Sequence, residues 1–187
     1  MKLHHIVFSF ILLIAISACS SVKVSQDYDL GQPLPELKTY QWLTDVQVQT
    51  GDVRVDNPLL DKRIRKAVDR VLAQKGFEKA VEGTPDVKVA YQFSISLKSK
   101  SDDVQTGFGF GMGSRGSFGG IRIGTGSTVT QYDEGLLVID LTNSQGALLW
   151  RGKGTRFLPE HTNPEKTEKI YNELVEKILA QFPPKTQ

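Results

Sequence analysis

PDVKVAYQFSISLKSK occupies Pro85 to Lys100. Val87, Val89, Tyr91, Phe93, Ile95 and Leu97 alternate with Asp86, Lys88, Ala90, Gln92, Ser94, Ser96 and Lys98. A strand with this pattern has one apolar face and one wet face. Half-solvated strands of this kind belong to antiparallel sheets that carry helices on one side only.

The flanking segments supply the rest of such a fold. Upstream, NPLLDKRIRKAVDRVLAQKG runs from Asn57 to Gly76. Asn57 suits an N-cap, Pro58 the first helical position and Gly76 the left-handed residue that ends a helix. Leu60, Ile64, Ala67, Val68, Val71 and Leu72 recur at helical spacing and form one apolar stripe. Lys62, Arg63, Lys66 and Arg70 lie off it, as a solvated helix face or a contact for anionic lipid. Earlier still, Glu36 to Leu43 alternates as a short strand with Tyr40 and Trp42 on one face.

Downstream, strands EGLLVIDLT (134–142) and ALLWRGKGTRF (147–157) flank Asn143-Ser144-Gln145-Gly146, a hairpin turn. Pairing Thr142 with Ala147 puts Leu137, Ile139, Leu141, Leu148 and Trp150 on the helix side and sets Asp140 across from Leu149, diagonal to Arg151. Asn163-Pro164 opens a second helix with Ile170, Leu174, Ile178 and Leu179 as its inner stripe, ended by Pro183-Pro184. The expected order is β-α-β-β-β-α. It describes an α+β fold, a mostly antiparallel sheet of about four strands with two helices packed on one face, in a single domain spanning 28–187.

The N-terminus reads as an address. Ile6 to Ile16 is apolar except for Ser9, follows Lys2, His4 and His5, and ends in small residues, the pattern of a signal peptide over 1–18. About eleven residues rise only ~16 Å as a helix, too short for the ~30 Å hydrocarbon core of a bilayer. Ile16-Ser17-Ala18-Cys19 resembles a bacterial lipobox, in which Cys19 carries acyl chains and residues 19–27 form a tether. Two such chains anchor a protein stably. Ser20 follows the cysteine, where an Asp is associated with retention at the inner membrane, so the expected location is the outer membrane, facing the periplasm. Cys19 is the only cysteine, which rules out an intrachain disulfide. Without residues 1–18 the net charge is about +1, giving no general attraction to nucleic acid.

Several motifs invite chemistry. Gly111, Gly113 and Gly116 spell the G-x-G-x-x-G of a dinucleotide cradle, but that cradle needs a strand delivering the glycines to a helix N-terminus. Here the flanks are polar or glycine-rich, with nine glycines in the twenty residues 107–126. The stretch 106–128 reads instead as a glycine-rich loop between central strands, with a contact site for membrane, peptidoglycan or a protein partner as the other reading. Phe108, Phe110, Arg115, Phe118 and Arg122 resemble a stacking surface for single-stranded nucleic acid, a ligand that export makes unavailable. Neither nucleotide nor nucleic acid is expected. Gly152-Lys153-Gly154 lacks the spacing of a phosphate loop. His161 is the one histidine after residue 18, and the adjacent carboxylates Asp102-Asp103 and Asp133-Glu134 point to opposite faces of a strand. No catalytic residue, metal site or cofactor is expected. Asp140, one charge in an apolar run, reads as a cross-strand partner of Arg151, with a catalytic carboxylate as the alternative.

Six pieces in order resemble a known family: Tyr40-Gln41-Trp42; Asn57-Pro58-Leu59-Leu60-Asp61-Lys62-Arg63-Ile64; Lys75-Gly76-Phe77; Pro85-Asp86-Val87-Lys88-Val89; Tyr132 through Glu134-Gly135 to Asp140; and Leu149-Trp150-Arg151-Gly152. Together they are similar to the bacterial lipoproteins grouped as domain of unknown function 4136, from about Tyr28 to Phe182. The resemblance implies an envelope lipoprotein with helices on a sheet and no established activity or cofactor. It assigns structural parts to these residues: packing for Trp42 and Trp150, backbone geometry for Gly76 and Gly135, an ion pair for Asp140 and Arg151. The expected role is a structural or interaction module with the lipid bilayer and an envelope protein as partners. An accessory subunit of an envelope transport system and an envelope hydrolase are the alternatives.

Overall fold

The computed structural model describes residues 22–31, 34–102 and 128–184. The stretch 1–18 read as a signal peptide, Cys19 and the glycine-rich stretch up to Ser127 lie outside the described residues. In chain order the elements are β1 (Lys23–Asp27), β2 (Thr39–Trp42), α1 (Pro58–Gln74), β3 (Glu78–Lys79), β4 (Val87–Asp102), β5 (Thr128–Thr142), β6 (Leu148–Leu158) and α2 (Pro164–Leu179).

The expectation of a mostly antiparallel, roughly four-stranded sheet is corrected. The sheet has six strands in the order β1-β6-β5-β4-β2-β3 and is mixed. β1, β6, β5 and β4 pair antiparallel, whereas β2 runs parallel to both β4 and β3. The parallel pairs follow from connectivity, because α1 lies between β2 and the strands that flank it, and a crossover of that length returns the chain in the same direction. β3 has only two residues. All five residues of β1 are exposed, so neither strand has the apolar alternation by which a strand is read. β1 also takes up residues 23–27 of the stretch expected to be a tether.

The hairpin register differs too. Asp140 stands directly across from Arg151 and Leu141 from Trp150, with a bulge before Thr142 meets Leu148. The turn causes this. Asn143 Oδ1 accepts the Gln145 and Ala147 N–H groups, and Asn143 N–H donates to the Ala147 carbonyl. Thr142 therefore pairs with Leu148, one residue later than the expected Ala147, and Leu148 is exposed rather than on the helix side.

α1 starts and stops where its caps dictate. Asn57 accepts from Leu59 N–H, Pro58 follows, and Gly76 at φ +87° lets Phe77 N–H reach the Leu72 carbonyl. Its buried residues are Leu60, Ile64, Ala67, Val68, Val71 and Leu72; those of α2 are Ile170, Tyr171, Leu174, Val175, Ile178 and Leu179. Both stripes meet Val87, Val89, Phe93, Leu137, Ile139, Leu141 and Trp150 from the sheet in one core. Each fully buried aliphatic side chain contributes about 1.5–3 kcal/mol.

Glycines set how closely the layers approach. A Cβ on Gly152 would collide with the Trp150 ring and come within 2.5 Å of Ile178, and one on Gly154 would lie 2.7 Å from Ile178. α2 therefore rests directly on the β6 backbone.

Candidate functional site

Among the described residues, three polar clusters take in most of the polar side chains picked out in sequence, and two of them hold the fold together. On α1, Asp61, Arg65 and Asp69 stand at successive four-residue steps, one above another on the face toward β2 and β4. Asp69 accepts from the Tyr40 hydroxyl and from Trp42 Nε1, both at 2.9 Å, and from Lys79 Nζ at 3.0 Å. Asp61 accepts from the Tyr91 hydroxyl at 2.6 Å and from Arg65 Nε at 2.8 Å. The Arg65 guanidinium also lies 4.5 Å from the centre of the Trp42 ring and donates to the Thr44 carbonyl. Burial first, then the hydrogen bond and charge of Asp69, push the Tyr40 phenol well above its ordinary range; burial and Asp61 do the same to Tyr91.

At the second place Asp86 ties the start of β4 to the start of β2. Its carboxylate accepts from Lys38 N–H, Thr39 N–H and the Thr39 hydroxyl, which itself accepts from Asp86 N–H. These donors, led by Lys38 N–H, hold the carboxyl below its usual pKa. Pro85 beside it is buried.

The third place is the sheet face opposite the helices. Arg151 grips Asp140 with two bonds of 2.6 and 2.7 Å, the pair expected from sequence but straight across instead of diagonal. Glu134 lies on the same face, 4.0 Å from Lys98. Tyr132 and Phe157 pack with their rings tilted, centres 5.9 Å apart. Gly135, turned to the helix side, leaves room for the Phe93 ring, which a Cβ would meet at 2.9 Å.

The residues picked out in sequence are thus placed apart rather than in one centre. Tyr40, Trp42 and Asp61 belong to the α1 network, Asn57, Pro58 and Gly76 to its caps, Pro85 and Asp86 to the β2–β4 clamp. Trp150 is fully buried against Phe182 and donates from Nε1 to Gln26, fastening β1. His161 is exposed ahead of α2. Two of the basic residues on α1 pair with α2, Lys66 with Glu168 and Arg70 with Glu176. Arg65, Asp69 and Tyr91 were missed as polar partners; the Asp61-Arg65-Asp69 spacing is the signal that marks them. Among the described residues no three His, Cys, Asp or Glu side chains gather as a metal site, and no helix is long and apolar enough to cross a membrane.

A cleft of about 240 Å³ opens beside β4. Gln47, Val48 and Thr50 from the loop after β2 form one wall; Gln92, Ser94, Leu136 and Val138 form the floor on the open sheet face. Its lining is amide, hydroxyl, aliphatic and aromatic, with no carboxylate, imidazole or amine. Such a surface is suited to hydrogen-bonded and apolar recognition rather than to acid–base chemistry.

In structure, the chain is similar to a PDZ domain protein from Parabacteroides distasonis, with a TM-score of 0.51 and 12% identity over 89% of this chain. That alignment takes in 36% of the other protein's length, and the likeness is one of fold. A PelC dodecamer from Paraburkholderia phytofirmans aligns with a TM-score of 0.43 and 10% identity, covering 88% of this chain and 99% of that one. No curated protein matches the sequence. A family model does match, from residue 24 through the end of the described core at residue 184, and so takes in the α1 network, the Asp86 clamp and the Asp140–Arg151 pair: the chain belongs to the family described as domain of unknown function (DUF4136).

Proposed function

We propose that this protein is a binding module of the bacterial cell envelope, held by acyl chains on Cys19 at the periplasmic face of the outer membrane, and that it turns over no substrate of its own. The observation that carries the binding half of this reading is the uncharged lining of the cleft beside β4, while Asp61, Asp69, Asp86 and Asp140 are each engaged by donors inside the fold. Ile16-Ser17-Ala18-Cys19 supports the anchor. Because β1 begins at Lys23, the span from Cys19 into the sheet is at most about 14 Å, and the domain would work against the lipid surface.

Fractionation of cells expressing the wild type and Cys19→Ser, with the lipid mass read on each intact protein, tests the anchor. The expected result is an acylated wild type in the outer membrane and a soluble variant. Finding both forms soluble and unacylated would sink the envelope-anchor reading.

A further inference from the structure

β2 covers only the first part of β4. The two strands pair from Tyr40 with Val87 to Trp42 with Val89, and the last bond between them runs from Leu43 N–H to the Val89 carbonyl at 2.8 Å. Val89 therefore turns its backbone groups toward β2. Strand periodicity makes Tyr91, Phe93 and Ile95 turn theirs the same way, since the intervening residues bond to β5. Among the described residues nothing pairs with those backbone groups. The neighbouring loop does not fill the gap, because it bonds to itself: Asp56 accepts from Thr50 and Gly51 N–H, and Gln47 donates to the Val55 carbonyl.

β5 adds a second observation. From Leu136 to Ile139 β5 is apolar on both faces, although the helices cover one, and on the open face this short apolar stretch lies between Glu134 and Asp140. Leu136 and Val138 form the floor of the cleft beside the unpaired β4 edge.

We propose that the free edge of β4 from Tyr91 to Ile95 takes up an extended segment of another polypeptide, which adds as a strand in the cleft beside Gln47, Val48 and Thr50. A row of alternate N–H and C=O groups is matched by an extended backbone. The cleft favours a single chain over the edge of a second copy, because it is bounded by Gln47, Val48 and Thr50 as well as by β4, whereas another sheet would bring its next strand about 4.8 Å behind the first. Side chains of the segment on the open face lie beside Ser94, small enough to let an apolar group reach Leu136 and Val138. This proposal deepens the binding-module reading and is independent of where the protein resides.

The test selects heptapeptides from a random displayed library on the full-length chain in detergent, then remakes the enriched peptides with N-methyl groups on alternate amides. One N-methyl phase should weaken binding about tenfold and the other leave it unchanged, as loss of single strand hydrogen bonds predicts. In amide hydrogen exchange the bound peptide should slow Tyr91, Phe93 and Ile95. An empty selection, binding indifferent to the N-methyl phase, or enriched peptides that leave those three amides unprotected would each overturn the proposal. So would protection of the three amides in the free protein that grows with its concentration, which would give the edge to a second copy. A soluble wild type in the Cys19 fractionation, by contrast, would remove the envelope anchor and leave this binding intact.

Discussion

Trp150 and Arg151 are neighbours on β6 and face opposite ways. Trp150 is 0% exposed, sealed by Phe182 and by α2 lying on Gly152 and Gly154. Arg151 stands in the open sheet face, its side chain 37% exposed, and meets Asp140 across the ladder. On the helix side, stability comes from apolar area removed from water and from a close approach that tolerates no added atom. The open face holds its charges in partly exposed pairs and leaves Leu136, Val138 and Leu149 half-covered. One face of the same sheet is finished by the chain's own helices and the other is left for solvent or a partner.

The largest expected effect breaks the finished face. Trp150→Ala should cost about 3–5 kcal/mol in urea unfolding, through the cavity and the lost hold on Gln26. A loss no greater than that of Arg151→Ala would erase the distinction between the faces. Next comes Gly152→Ala, expected to cost about 1–3 kcal/mol because its methyl group overlaps the Trp150 ring and Ile178; calorimetry would show it as a lowered midpoint, and an unchanged midpoint would mean that α2 is free to lift.

Asp69→Ala should cost a similar or smaller amount, about 1–3 kcal/mol, by stripping the acceptor from the Tyr40 hydroxyl and Trp42 Nε1. The same network predicts a pH dependence. Tyr40 and Tyr91 keep their protons in the folded state above the unfolded-state value of about 10, so their contribution is complete below that pH and is lost as pH rises through the raised folded-state values. Unfolding free energy should fall between about pH 10 and 12, and Tyr91→Phe should flatten the fall. Equal slopes in the two proteins would contradict burial of the Tyr91 phenol against Asp61.

The smallest effect belongs to the open face. A double-mutant cycle of Asp140→Asn and Arg151→Met should return a coupling of about 1 kcal/mol or less, since the pair is partly solvated. A coupling several times larger would mean that this face is shielded from water by something bound to it.

Much of the fold was legible where one face of an element is buried. The stripe from Leu60 to Leu72, the caps at Asn57 and Gly76, and the alternation from Val87 to Phe93 are local patterns that burial reinforces. β1 was illegible because its five exposed residues carry no such pattern, and β3 because it has two residues. The parallel pairing of β2 was legible in principle: α1 separates it from β4, and the crossover decides direction. The hairpin register was not, because it turns on one side chain, Asn143, choosing the Gln145 and Ala147 N–H groups.

By itself, the sequence determined the inward stripe of α1, the alternation of β4 from Val87 to Phe93 and four of the six buried residues of α2, without Tyr171 and Val175, while Leu97, read as inward, is exposed; it also marked Asp140 and Arg151 as partners. These follow from periodicity and charge, which act over a few residues. Only the tertiary structure decided that Asp61 and Asp69 hold Tyr91, Tyr40 and Trp42, that the pairing of β2 with β4 ends at Val89, and that a cleft opens beside the β4 edge thus left unpaired. Those are distances between segments far apart in the chain, set by how the helices settle on the sheet.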